Sequence, residues 1–248
     1  MNDAAISPDL LAKLKSARHV AVLTGAGVSA ESGVPTFRDA QSGHWAKYRP
    51  EDLATPEAFR RNPQLVWDWY QSRAHAVEAV EPNPGHHALA LMQNMFPQFT
   101  LITQNVDGLH ERAGSRKVIE LHGNIMKYKC MNCGQPLALA DAQPGSPPPS
   151  ACCQSFYRPD VVWFGENLPV EALDAAKIAA ADCDVFFCIG TSTVVYPAAE
   201  LPFSARRHGA VVVEINRDDT PLTEEADYVL RGASGKVLPA IIDALQRP

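Results

Sequence analysis

The 248-residue chain is 46% hydrophobic, enough for one medium α/β domain with a sizeable core and a smaller insert. A formal net charge of −6 argues against a nucleic-acid binder that works by neutralising phosphates. No apolar run approaches the roughly 20 residues needed to cross a bilayer, and the opening MNDAAISPDL lacks the basic and apolar regions of a signal peptide. The six cysteines therefore read as metal ligands or buried thiols of a reducing, cytoplasmic compartment sooner than as disulfides.

Ser7 followed by Pro8 marks a helix start, and Leu10, Leu11, Leu14 and Ala17 recur at helical spacing. A short apolar strand, Val20 to Leu23, breaks at Gly25-Ala26-Gly27, and small residues continue through Ser29, Ala30, Ser32 and Gly33. A strand entering such a turn lets backbone N–H groups approach a phosphate. The spacing does not complete GxGxxG, because Ala30 holds the third position. Pro35-Thr36-Phe37-Arg38-Asp39 then adds a rigid turn, an aromatic plate and a fixed cation.

Residues 40–83 read as a helix-rich insert, with Trp45, Tyr48 and the dense run Val66-Trp67-Asp68-Trp69-Tyr70. Asn83-Pro84 caps a new helix through Leu89, Met92 and Met95, and two strands follow, Phe99 to Thr103 and Lys117 to Leu121. Between 124 and 160 the composition changes. Two cysteine pairs flank the linker Gln143 to Ser150, whose prolines exclude helix and central strand. Alternation then resumes: strand Val161 to Phe164, a helix after Pro169, strand Val185 to Ile189, and a helix after Pro197. Strands Val211 to Ile215 and Tyr228 to Leu230 and a last helix from Gly235 complete the chain. The pattern predicts a doubly wound parallel, Rossmann-like sheet built from 1–39, 84–123 and 161–248, carrying the helical insert and a small zinc-binding module at 124–160.

Thr103-Gln104-Asn105-Val106-Asp107-Gly108-Leu109-His110 follows a strand directly, where ligands bind in such sheets. Asn105 and Asp107 suit a carboxamide-bearing leaving group, or else cap the next helix. Glu120-Leu121-His122-Gly123 ends the following strand with a histidine, whose ordinary pKa suits general-base work near neutrality. Gly190-Thr191-Ser192 offers small donors after another strand, and Val211 to Asn216 ends in an amide suited to a ribose hydroxyl or adenine.

The block GAGVSAESGVPTFRD closely resembles the NAD-binding signature of the sirtuins, the NAD-dependent protein lysine deacylases. TQNVDGLH resembles the second sirtuin block and LHG the block that holds the catalytic base, so the resemblance assigns His122 that role. It further implies NAD contacts from Gly25, Ala26, Gly27, Ala30, Glu31, Pro35, Thr36, Phe37, Arg38, Gln104, Asn105, Asp107, Gly190, Thr191, Ser192, Asn216 and Ser234. Val162-Trp163-Phe164-Gly165 looks like the strand on which a substrate peptide lies by β-augmentation. The implied reaction starts with attack of the acyl-lysine oxygen on the anomeric carbon of the nicotinamide ribose. It ends with free lysine, nicotinamide and O-acyl-ADP-ribose.

Two further features carry expectations. Tyr70 and Arg73 lie three apart in a helical run and share a face. Spacing alone favours Tyr70 in an aromatic core and Arg73 reaching solvent. Sirtuins of the third class carry a Tyr-x-x-Arg pair in this helix, and the resemblance implies that the pair reads an acidic acyl tail, succinyl or malonyl. Cys130 and Cys133 form a CxxC knuckle, half of a tetrahedral zinc site. The second half would be the adjacent Cys152 and Cys153, through both sulfurs or through one with a fourth ligand from elsewhere. Cys183 and Cys188 read as buried thiols.

The leading expectation is thus an NAD-dependent deacylase acting on acyl-lysine proteins or peptides, with no nucleic-acid or membrane partner. A mono-ADP-ribosyltransferase would share the NAD pocket. A hydride-transferring dehydrogenase is disfavoured by the incomplete GxGxxG, and a silent NAD-binding module by intact His122, Asn105 and Asp107.

Overall fold

The computed structural model describes residues 6–35, 48–137 and 145–247. Its first half runs α1 (Pro8–Ser16), β1 (His19–Thr24), two 3-10 turns (Ala26–Val28 and Ala30–Ser32), α2 (Pro50–Leu53), α3 (Pro56–Arg61), α4 (Pro63–Glu78) and α5 (Pro84–Met92). Then come β2 (Gln98–Thr103), α6 (Leu109–Arg112), β3 (Ile119–Glu120) and β4 (Gly123–Cys130). The second half holds β5 (Pro149–Ser150), β6 (Ser155–Val161), α7 (Val170–Asp182), β7 (Val185–Ile189), α8 (Leu201–Arg207), β8 (Val211–Asn216), β9 (Tyr228–Arg231) and α9 (Ser234–Gln246).

Helix starts follow local chemistry. The Ser7 hydroxyl accepts from the Leu10 N–H at 3.1 Å, Thr55 from Ala58 at 3.1 Å, and Asn62 from Leu65 at 3.1 Å. In each case proline takes the next position, where its missing N–H costs nothing.

All six residues of β1 are buried, as a strand covered on both faces requires. It pairs in parallel with β2 on one side and β7 on the other, in a six-stranded parallel sheet of order β3-β2-β1-β7-β8-β9. Side chains alternate between faces. Val20, Val22, Phe187 and Val213 pack with Leu10, Leu89, Leu238 and Ile241 under α1, α5 and α9. Ala21, Leu23, Phe186 and Val212 pack with Ala176, Ala180, Leu201 and Ala205 under α7 and α8. The result is the doubly wound three-layer arrangement expected. Cys183 and Cys188 lie buried in the second layer, the Cys183 thiol pushed up to about 12 by burial.

A second, antiparallel sheet of order β4-β6-β5 holds Cys130 at the end of β4, with Cys133, Cys152 and Cys153 in the turns beside it. Here one expectation fails. Val161 to Phe164 is not a strand of the parallel sheet: Val161 closes β6, which opposes β4, and the chain then turns away. The third core joins this sheet to the insert, with Leu53, Phe59, Val66, Trp69 and Tyr70 packed on Ile125, Val161 and Trp163. Among the described residues no helix is long and apolar enough to cross a membrane.

Candidate active site

Every strand of the parallel sheet points the same way, so the loops after β1, β2, β3, β7, β8 and β9 gather at one edge. Gly25 and Gly27 lie against the loop after β7. A Cβ on Gly27 would sit 2.7 Å from the Gly190 Cα, and one on Gly25 2.8 Å from the Thr191 Cα. Their N–H groups are spent on that neighbour, Gly25 on the Ile189 carbonyl at 3.0 Å and Gly27 on the Gly190 carbonyl at 2.8 Å. These two glycines thus serve loop packing first.

Beside them is a cleft of about 130 Å³ lined by Gly27, Ala30, Gly190, Asn216, Ala233 and Ser234, among others. The Asn216 amide donates to the Thr191 carbonyl at 2.9 Å, which fixes its carbonyl side. Ser234, at the start of α9, is buried, and its hydroxyl has no hydrogen-bond partner among the described residues. The Glu31 carboxylate accepts from the Gly235 N–H at 2.7 Å, joining the two walls of the cleft. Ser192 is exposed on the Gly190 loop, and Pro35 is exposed at the end of the loop after β1. Thr36, Phe37 and Arg38 lie outside the described residues.

The loop after β2 organises the other end. The Gln104 side-chain amide donates to the Thr191 hydroxyl at 2.9 Å, and the Gln104 backbone carbonyl accepts from Nδ1 of His122 at 2.9 Å. A carbonyl only accepts, so Nδ1 carries the proton and Nε2 of the neutral ring is the basic nitrogen. Burial holds the His122 pKa below its ordinary 6.5, against the opposing effect of that hydrogen bond.

Ser29 is the hub that sequence reading missed. Its hydroxyl donates to Asp107 at 2.8 Å and accepts from the Asn105 amide at 3.1 Å, while His86 Nε2 lies at 3.2 Å. His86 Nδ1 accepts from the Asn83 N–H, so its Nε2 carries the proton and donates to Ser29. Asp107 also accepts the Leu109 N–H at 3.0 Å where α6 begins, although Gly108, with no side chain, takes the cap position itself. Burial raises its pKa. Only folding brings Ser29 and His86 together; the sole local hint was the cap at Asn83-Pro84.

His86 and His110 pack ring to ring, centroids 4.9 Å apart, and both are buried. Burial pushes His86 down to about 4 and His110 to about 3. Both are neutral in the fold, so on acidification the unfolded chain takes up protons first, from pH 6.5 downward. Stability is complete above that pH and falls through the folded values, by up to about 1.4 kcal/mol per pH unit for each ring. Urea unfolding is expected to show a midpoint that drops between pH 7 and 5; a flat profile would contradict the burial of these rings.

Tyr70 joins the aromatic core, edge-on to Trp69 at 4.6 Å, and its hydroxyl accepts from the Trp163 indole N–H at 2.9 Å. Burial raises its pKa and keeps the phenol protonated. Arg73 does not reach out to solvent as spacing alone had it. Its guanidinium lies 5.1 Å over the Trp69 ring, and burial lowers its pKa against the fields of Tyr70 and Asp107. Val162, Trp163, Phe164 and Gly165 follow β6. The N–H groups of Val162, Trp163 and Phe164 already bond His122, Glu166 and Ala54 at 2.8, 2.8 and 3.0 Å. A peptide pairing here therefore meets an interrupted ladder and not a continuous free edge.

In the small sheet the sulfurs of Cys130, Cys133, Cys152 and Cys153 all lie within 4.8 Å of one another. A tetrahedral zinc with Zn–S bonds of about 2.3 Å needs sulfurs about 3.8 Å apart, so the donor set and its geometry fit. Adjacency of Cys152 and Cys153 is no obstacle to both facing the site. Chelation is expected to lower the melting temperature, and elemental analysis to find one zinc per chain. Less than half an equivalent in fresh protein would count against four-sulfur ligation.

A parallel sheet in this order, with small-residue loops at its carboxyl edge and a small metal-binding module, defines a dinucleotide-binding α/β domain. The Sir2 family model matches residues 25–197. The chain belongs to the Sir2 family. It is 52% identical over 249 residues to the NAD-dependent protein deacylase of Methylococcus capsulatus, covering 97% of this chain and 98% of that one. A solved Sir2 homolog–NAD complex superposes with a TM-score of 0.91 at 43% identity, covering 99% and 96% of the two chains. A Sir2–p53 peptide–NAD+ complex superposes with a TM-score of 0.84 at 32% identity, covering 96% and 97%.

Proposed function

We propose that the chain is an NAD-dependent protein lysine deacylase in which His122 is the general base, and that it favours acidic acyl groups. The deacylase reading rests on full-length similarity to a protein of that name and on the site just described. Bound NAD would supply the ribose carbon that the acyl oxygen attacks and the hydroxyl that receives the acyl group. His122 takes the proton of that hydroxyl on Nε2, its Nδ1–H held by the Gln104 carbonyl. Asn105 and Asp107, fixed by Ser29, would meet the nicotinamide carboxamide.

The observation that carries the acyl preference is the Tyr70–Arg73 pair. They stand three residues apart on α4 and both pack on Trp69, the phenol ring edge-on at 4.6 Å and the guanidinium 5.1 Å over the indole. Such a pair can grip a distal carboxylate by charge-assisted hydrogen bonds, which acetyl-lysine cannot offer. Acylated proteins or peptides are the substrates. The test is a peptide assay with NAD comparing acetyl, malonyl and succinyl lysine on one scaffold. Succinyl and malonyl are expected to turn over fastest, with O-acyl-ADP-ribose formed in step with free lysine. Faster removal of acetyl would refute the acidic-acyl part, and ADP-ribose transferred to protein without free lysine would refute the rest.

A further inference from the structure

Arg158 is almost fully buried, at 2% exposure, yet lies in a strand of the small metal-binding sheet. Its guanidinium is saturated. It makes a bidentate pair with Glu166 at 2.5 and 3.0 Å and donates to the Val161 carbonyl at 2.6 Å and the Pro159 carbonyl at 3.3 Å. Its plane sits 3.2 Å from the Trp163 ring centroid, and Nη1 reaches the sulfur of Met131, the neighbour of Cys130, at 3.9 Å. Glu166 closes a small ring by accepting the Trp163 N–H at 2.8 Å. Trp163 in turn hands its indole N–H to the Tyr70 hydroxyl on α4.

A buried ion pair is weak support for stability, since apolar residues of the same volume often hold a core as well. What this one does is geometric. Contacts of one rigid, planar group with five residues fix the segment Trp163 to Glu166 against the metal-binding sheet, and fix the indole that aims Tyr70. Lysine could supply the charge but neither the fork nor the flat face.

We propose that Arg158 is a positioning residue of the acyl-lysine site: it orients Trp163 and, through it, the Tyr70 hydroxyl, so that the metal-binding sheet and the substrate segment move as one piece. The inference rests on the reading that Trp163 and Tyr70 meet the acylated substrate. It places the control of substrate fit in a side chain that touches neither substrate nor metal.

The experiment uses the zinc-loaded full chain, with steady-state kinetics on succinyl and acetyl peptides, NAD binding by calorimetry and zinc content on the same samples. Arg158→Met and Arg158→Lys are expected to raise the KM for succinyl peptide about tenfold, the scale of one neutral hydrogen bond misplaced. The acetyl peptide is expected to suffer less, and kcat, NAD affinity and zinc content to stay within about twofold. Arg158→Met strands Glu166, so Glu166→Gln, which keeps shape and drops charge, is read beside it and is expected to raise the same KM. Loss of zinc with unchanged peptide KM would overturn the proposal and leave Arg158 a fold residue of the metal module. Unchanged KM in all three variants, with Trp163→Phe and Tyr70→Phe raising it, would also overturn it while the substrate reading stands. Unchanged KM in all five would overturn both.

Discussion

Replacing His122 by alanine is expected to cut turnover of acyl peptide about 10²–10⁴-fold, the usual cost of losing a general base. That is about 3–5 kcal/mol of transition-state stabilisation. NAD should still bind, because the cleft at Gly27, Asn216 and Ser234 does not include the imidazole. The same residue sets a pH profile. Its pKa lies below 6.5, so the basic form dominates at neutrality and the rate should stay level down to that pH before falling on the acid side. An acid limb centred above 6.5, or near-normal turnover by His122→Ala, would remove the histidine from the role.

The second large effect concerns Arg73. Arg73→Met keeps the length of the side chain and removes the fork. On succinyl peptide it is expected to cost about 2–5 kcal/mol, the scale for losing one partner of a desolvated charge pair. Deacetylation should stay equal or improve, since a neutral acyl tail gains nothing from a partly buried cation over Trp69. Equal slowing of both substrates would assign Arg73 to holding α4 in place. The comparison must be made on one peptide, so that only the acyl group differs.

The frame of the molecule was legible where burial leaves a one-dimensional trace. Runs such as Val20 to Leu23 and Val185 to Ile189 are apolar at every position because both faces of those strands are covered, and they became strands at nearly those bounds. Strand ends then point to chemistry, and His122 and Asn105 stand out as candidates because each closely follows a strand of the parallel sheet. What stayed hidden was set by distant partners. Arg158 looks in sequence like a surface residue, and it is buried by Met131, Trp163 and Glu166, which only the folded chain sets around it. Val161 to Phe164 looks like a parallel strand because its apolar part is visible. Its polar, proline-containing beginning, Ser155 to Asp160, disguises the antiparallel strand that it ends. The four-cysteine cluster was half legible. The knuckle at Cys130 has a spacing that speaks for itself, whereas adjacent cysteines reach one point only if the turn around them permits it.

The contact between Gly25, Gly27 and Gly190 has a consequence for anyone wishing to redesign this enzyme. Where two backbones touch with no room for a methyl group, the floor of the cleft behaves as a single cast part. Neither loop can swing away from the other without breaking the hydrogen bonds that Gly25 and Gly27 make across the seam. A change in the shape of the cleft is therefore to be sought among lining residues away from that seam, Arg217 and Asp218 among them. Substitutions there leave the close contact of the three glycines intact.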